Sequence, residues 1–104
     1  MTEQRRSRRI LANISLEIEW DGEPQLASTA VISVNGALIL SRMNWPVGCE
    51  LRIKNPDTGL QTLGRVVWCG NQDLTGWFKL GVEFRNPPPE FWGELYDVEG
   101  EEGP

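Results

Sequence analysis

A nearly unbroken alternation of apolar and polar side chains marks the stretch that decides the fold, ILANISLEIEW at residues 10–20. Successive side chains of a β-strand point to opposite faces of a sheet, so this period of two predicts one long strand with one buried face. The residues on the apolar face are Ile10, Ala12, Ile14, Leu16, Ile18 and Trp20. Glu17 and Glu19 fall on the opposite face, which the pattern makes a solvated surface rather than an acid/base pair.

Further strand-like runs follow along the chain. The segments rich in apolar and β-branched residues are 26–33, 37–40, 49–54, 60–69 and 77–84. Between them lie Asp21-Gly22-Glu23-Pro24, Asn35-Gly36, Pro46-Val47-Gly48 and residues 55–59, which contain the Gly, Pro, Asn and Asp typical of turns. Six short strands with no helix between them predict an all-β fold, a six-stranded antiparallel barrel.

The chain after the last strand is predicted to form one short helix. Pro87-Pro88-Pro89 ends the sheet, and the apolar residues Phe91, Trp92 and Leu95 have the spacing of one stripe of a helix. We expect this helix to cap one end of the barrel. The predicted organisation is a basic lead-in at residues 1–9, a barrel with its helix at residues 10–98, and an acidic flexible tail at residues 99–104.

Composition and charge narrow the class of function. The 104 residues suffice for one domain, and a hydrophobic fraction of 39% with 24% charged residues is typical of a globular protein. Residues 1–9 carry a net charge of +3 and the rest carry −8, which together give −5. A body this acidic would repel a nucleic-acid backbone, so a small anionic ligand is a better match than a duplex.

Residue types used for metal binding and acid/base catalysis are scarce. The chain has no His, and its two cysteines, Cys49 and Cys69, lack the spacing of a zinc site. We interpret them as reduced structural thiols of a cytoplasmic protein, with a single disulfide as the alternative. No apolar run approaches the roughly 20 residues that span a bilayer as a helix. We therefore expect neither an enzyme nor a membrane-inserted protein.

Two polar motifs point to anion recognition. Four arginines, in Arg5-Arg6-Ser7-Arg8-Arg9, lead directly into the first strand, and a guanidinium can pair with phosphate or a guanine edge and can stack on a base. The second motif, Ser33-Val34-Asn35-Gly36, separates two strands. Taken singly, the first indicates a solvated basic segment. The second indicates a hairpin turn in which Gly36 permits a backbone conformation that a Cβ would penalise.

Together the two motifs resemble the signature of PilZ domains, in which RxxxR is followed by (D/N)xSxxG. Arg5 and Arg9 match the first half, and Ser33 and Gly36 match the second. The resemblance covers residues 5–95 and extends to the segments Gly64-Arg65-Val66-Val67-Trp68 and Leu80-Gly81-Val82-Glu83-Phe84. It implies a six-stranded antiparallel barrel that serves as a receptor for the bacterial second messenger cyclic di-GMP, with no further cofactor.

The resemblance also implies roles for single residues. Arg5 and Arg9 would contact the phosphates and guanine faces of the dinucleotide. Ser33 and Gly36 would line the opposite side of the ligand, one through its hydroxyl and the other through close backbone approach. The residues near enough to assist are Arg6, Arg8 and Asn35.

Val31 departs from the family pattern. That position carries an acceptor for the N1–H and exocyclic amine of guanine in the family, and an isopropyl group cannot accept a hydrogen bond. Loss of a hydrogen bond to a charged group, worth about 1.5–3 kcal/mol, weakens binding roughly ten- to a hundredfold.

Two functions follow from this departure. The chain is either a cyclic di-GMP receptor of reduced affinity or a PilZ-like barrel that has lost the nucleotide and acts as a protein-interaction adaptor. Both require an unidentified effector protein, and both leave the oligomeric state open. A nucleic-acid contact through the arginine segment is a weaker third alternative, because the remaining residues are so acidic.

The tryptophans bear on where a partner would bind. Trp68 and Trp92 lie in core-like patterns and are predicted to be packed inside the barrel. Trp45 and Trp77 lie in or beside loops, and either one, if exposed, would mark a partner surface.

Overall fold

The computed structural model describes residues 9–70 and 75–93. These residues contain no helix and seven β-strands: β1 (Ile10–Leu11), β2 (Ser15–Trp20), β3 (Glu23–Ser33), β4 (Gly36–Ser41), β5 (Glu50–Asn55), β6 (Leu60–Cys69) and β7 (Phe78–Arg85). Arg5, Arg6, Arg8 and the predicted acidic tail lie outside the described residues.

The strands form one antiparallel sheet that closes on itself. Their order is β1-β3-β2-β5-β6-β7-β4, and β4 also pairs with β3. From β3 the hydrogen-bonded ladder runs through five other strands and returns to β3, which gives the six-stranded barrel that the sequence predicts. β1 extends this ring by pairing with the end of β3, where Ile10 lies opposite Ile32 and Leu11 lies opposite Val31.

The single strand predicted at residues 10–20 is divided into β1 and β2. Thr29 of β3, which is fully buried, accounts for the break. Its Oγ1 donates a hydrogen bond to the Ala12 carbonyl at 2.6 Å and accepts one from the Ile14 amide at 2.9 Å. A side-chain hydroxyl therefore satisfies two backbone groups where the regular ladder is interrupted.

The predicted apolar face of residues 10–20 is mostly buried, but its last residue is not. Leu16 and Ile18 are fully buried, whereas Trp20 is 46% exposed, so the prediction that Trp20 faces the core is wrong. Trp20 ends β2 beside a two-residue turn in which Asp21 has φ of 59° and Gly22 has φ of 83°. Positive φ at both positions is the conformation of a type I′ hairpin, and the barrel wall ends at this turn.

The core fills the inside of the barrel and is closed at one end by aromatic rings. Its fully buried aliphatic residues are Leu16, Ile18, Ile32, Ile39, Leu51, Ile53, Val66 and Leu80. Phe91 and Trp92 follow β7 and pack against Phe84, with ring centroids 5.3 and 5.8 Å from that of Phe84. The Asn55 side chain, buried at the end of β5, donates to the Phe91 carbonyl at 2.9 Å and holds this segment in place.

The predicted C-terminal helix is not found in the described residues. The Phe91 amide donates to the Pro88 carbonyl and the Gly93 amide donates to the Glu90 carbonyl, so this segment consists of successive turns. Gly93 has φ of 74°, the left-handed conformation that ends a helical turn. Leu95, the third residue of the predicted apolar stripe, lies outside the described residues.

Candidate functional site

A pocket of about 580 Å³ on the outside of the barrel gathers most of the residues that the two motifs predict. Its lining includes Arg9, Val31, Ser33, Asn35 and Gly36. Arg9 precedes β1, and pairing of β1 with the end of β3 brings this arginine beside the second motif. Arg5 and Arg6, the other predicted site residues, lie outside the described residues.

The turn between β3 and β4 forms one wall of the pocket and is held from two sides. Ser33 pairs with Gly36 across a two-residue turn, and the Ser33 Oγ donates to the Gly36 carbonyl at 3.4 Å. The Trp92 indole Nε1 donates to the Ser33 carbonyl at 2.8 Å, and the Phe84 amide donates to the Asn35 carbonyl at 2.7 Å. With two of its carbonyls bonded to residues beyond the hairpin, this turn presents a fixed wall.

Gly36 is required by close packing and not by its backbone conformation. Its φ is not positive, so the prediction that the turn needs a conformation disfavoured by a Cβ is wrong. A Cβ at Gly36 would instead overlap the carbonyl oxygen of Val82 and would lie 3.4 Å from the Glu83 Cα. The neighbouring strand β7 thus fills the space that any other side chain would need.

Val31 belongs to a row of apolar residues that crosses five strands on the outside of the barrel. Leu11 lies opposite Val31, Val31 opposite Leu38, and Leu38 opposite Gly81. Trp68 lies on the far side of Gly81. Neighbouring strands are about 4.8 Å apart, so this apolar row is about 19 Å long. Val31, Leu38, Gly81 and Trp68 contribute to the lining of the pocket.

Trp68 is the site residue that the sequence pattern missed. It was predicted to be in the core, but it is 49% exposed and lines the pocket, so that prediction is wrong. A β-bulge between Val66 and Trp68 adds one residue to β6 and turns Trp68 outward over Gly81, where a Cβ would lie 3.3 Å from the Trp68 Cβ. A glycine within the strand motif of residues 80–84 was the available signal, because such a glycine often marks a close approach.

The other tryptophans divide between core and surface. Trp92 is buried, as predicted, and Trp45 is also buried. Trp77 is partly buried, and the Arg42 guanidinium carbon lies 4.5 Å from the centroid of its ring, a cation–π contact. Neither loop tryptophan therefore offers a fully open ring to a partner.

The pocket carries one charge of each sign among its described lining residues, Arg9 and Glu83. Glu83 also faces Arg65, with 3.7 Å between the Glu83 Oε1 and the Arg65 Nη2. Both side chains of this pair are more than half exposed, so the pair is weak and its members can contact a ligand.

Residues 9–70 and 75–93 contain no group of three or more His, Cys, Asp or Glu side chains that could hold a metal ion. In those ranges there is also no helix of the length and hydropathy needed to cross a bilayer. Cys49 and Cys69 are free thiols, and burial raises the pKa of Cys49.

Comparison with known proteins identifies a sequence family and a solved structure of similar fold. The sequence model of the PilZ domain matches residues 3–96, nearly the whole chain. The structure of the Bacillus subtilis inhibitor of motility (MotI/DgrA) superposes with a TM-score of 0.73 at 17% sequence identity over 94% of this chain, a likeness of fold. The match covers 51% of that structure, so this chain spans about half its length. No curated protein matches the sequence.

Proposed function

The chain belongs to the PilZ domain family, and on that premise we propose that it is a receptor module that binds cyclic di-GMP between Arg9 and the turn at Ser33 and Gly36. The observation that carries this proposal is that Arg9, the described residue of the first motif, lines the same pocket as Ser33 and Gly36 of the second. Its volume of about 580 Å³ falls within the range of small-molecule sites, roughly 300–1,000 Å³.

The charged and polar residues have complementary roles in this proposal. The Arg9 guanidinium pairs with a phosphate of the ligand and can stack on a guanine face at the same time. The Ser33 hydroxyl donates to or accepts from the opposite side of the ligand. Gly36 keeps β7 packed directly against the turn, because any side chain at this position would overlap the Val82 carbonyl oxygen. Arg5 shares the role of Arg9, as the family pattern implies, and Arg6, Arg8 and Asn35 assist.

Trp68 adds a stacking surface to this set. It is half-exposed and lines the pocket, so its indole is accessible to a ligand. Every nucleobase has a π-face, and stacking of a base on an aromatic side chain is worth about 1–3 kcal/mol. We infer that one guanine stacks on Trp68 while the arginines hold the phosphates.

In this proposal, residues 1–9 transmit the binding of cyclic di-GMP to a partner protein. We infer that an effector protein recognises the surface that the bound ligand and the arginine segment form together. Because cyclic di-GMP is a bacterial second messenger, we expect the protein to work in the cytoplasm of a bacterium.

A second candidate function is a protein-interaction adaptor that does not bind nucleotide. The apolar row favours it, because Val31 replaces the family's acceptor and extends an apolar surface to Leu11, which is 85% exposed. Exposed apolar surface of this extent on a barrel exterior is typical of interaction sites. The adaptor predicts a folded protein that gives no response to cyclic di-GMP.

Titration with cyclic di-GMP by isothermal calorimetry decides between the two functions. The receptor predicts heat of binding and a rise in melting temperature, whereas absence of both at high micromolar ligand would refute it. Arg9→Ala should weaken binding at least tenfold with little change in melting temperature, because Arg9 is exposed and precedes β1. The matched control is Arg52→Ala, an exposed arginine of β5 outside the pocket, which should leave affinity unchanged.

A further inference from the structure

We propose that Glu83 supplies the guanine-reading acceptor that Val31 lacks. This inference rests on the proposed function, since it concerns how the same pocket would distinguish guanine from adenine. It assigns a specificity-determining role to a residue of β7, a strand to which the signature motifs assign none.

Glu83 lies directly beside the signature turn. It pairs with Gly36 across β4 and β7, and Ser33 pairs with Gly36 on the other side. Ser33 and Glu83 therefore lie on either side of Gly36, about two strand spacings or roughly 10 Å apart. The same pocket is lined by all three residues. A base that enters this pocket can therefore meet the Ser33 hydroxyl on one side and the Glu83 carboxylate on the other.

Glu83 places a negative charge in a site proposed for cyclic di-GMP, which is itself a dianion. It is the one carboxylate among the described lining residues, and a carboxylate near phosphates opposes their binding. Arg65 offsets part of this charge, since its guanidinium lies 3.7 Å from the Glu83 carboxylate. The pair is exposed and long, so the carboxylate oxygens keep the capacity to accept hydrogen bonds from a ligand.

Guanine chemistry fits this carboxylate. The Watson–Crick edge of guanine presents the N1–H and the N2 amine side by side, and two carboxylate oxygens can accept both. Adenine presents an unprotonated N1 at the corresponding position, which a carboxylate repels. Asn35 also lines the pocket, but its amide carries no charge, and a hydrogen bond to a charged carboxylate is the stronger one. A bidentate contact of this kind discriminates between bases by about ten- to a hundredfold.

The test compares two ligands and matched variants by calorimetry. We expect the unaltered protein to bind cyclic di-GMP more tightly than cyclic di-AMP. Glu83→Gln should weaken cyclic di-GMP binding about ten- to a hundredfold and should not weaken cyclic di-AMP binding, because only guanine loses its acceptor. Glu50→Gln is the control: this exposed carboxylate pairs with Arg85 at 2.7 Å outside the pocket, and its loss should change neither affinity.

Arg65→Gln separates the carboxylate from its ion pair. This variant leaves Glu83 in place, so the preference for guanine should persist. Loss of that preference in Arg65→Gln would overturn the inference, as would unchanged or tighter cyclic di-GMP binding by Glu83→Gln. In either case the receptor function would stand. If the unaltered protein binds neither dinucleotide, the proposed function itself fails.

Discussion

Replacement of Thr29 by valine tests how the barrel holds its first residues next to the pocket. The Thr29 Oγ1 serves two backbone groups, the Ala12 carbonyl at 2.6 Å and the Ile14 amide at 2.9 Å, and the side chain is fully buried. Valine has nearly the same shape but leaves both groups without a partner. A buried group without a partner costs about 1–3 kcal/mol, so we expect Thr29→Val to lower the free energy of unfolding by about 2–4 kcal/mol.

Urea denaturation and thermal melting provide the measurement. A loss of this size corresponds to a fall in melting temperature on the order of 10–25 °C for a domain of this length. Thr62→Val is the matched control, because Thr62 is also buried but both of its hydrogen bonds are long, at 3.4 Å. We expect that variant to lose less than about 1 kcal/mol.

The difference in stability loss between the two variants measures the contribution of the Thr29 hydroxyl. Equal losses for Thr29→Val and Thr62→Val would show that the hydroxyl of Thr29 does not stabilise the break between β1 and β2. A functional consequence should accompany the stability loss, because β1 positions Arg9 at the pocket. At a temperature where Thr29→Val remains folded, its affinity for cyclic di-GMP should be lower than that of Thr62→Val.

Three further predictions concern the pocket and the thiols. Val31→Asp introduced into the Glu83→Gln variant should tighten cyclic di-GMP binding about tenfold, because it restores an acceptor that this variant lacks, and unchanged calorimetric affinity in a folded protein would show that position 31 does not contact guanine. Trp68→Ala should weaken cyclic di-GMP binding about fivefold to a hundredfold, because the stacking contact is lost. Trp20→Ala removes a similarly exposed ring outside the pocket and should leave the affinity unchanged. Equal affinities for the two variants would contradict the stacking role of Trp68. A Cys69→Ser variant leaves Cys49 as its single thiol. Because burial raises the pKa of Cys49 and the thiolate is the reactive form, this variant should react more slowly with a thiol reagent at pH 8 when folded than when unfolded in urea. Equal rates would contradict the burial of Cys49.

Much of the fold could be predicted because alternation is local. The pattern of residues 10–20 fixed which side of β2 is buried, and Asp21-Gly22 identified its turn. The break between β1 and β2 could not be predicted in the same way, because it depends on the hydroxyl of Thr29, which lies in another strand. The helix was predicted from the spacing of three apolar residues. Successive turns that end at Gly93 bury the two of them that are described, Phe91 and Trp92, without forming a helix.

The candidate site was predictable only where a motif supplied it. Arg9, Ser33 and Gly36 were identified by their spacing, and they do line one pocket. Trp68 was assigned to the core because strict alternation does not anticipate a bulge in β6. No local sequence signal identified Glu83, because it lies next to Gly36 only when β4 and β7 pair.

Closure of the barrel also bears on how the protein behaves at high concentration. A strand whose backbone amides and carbonyls face solvent offers a template on which another chain can add, and this is a common route to cross-β aggregates. Within the described residues each ring strand has a neighbour on both sides, and the strand at the end of the sheet, β1, is two residues long. Concentrated solutions should therefore resist fibril formation for as long as the ring stays intact.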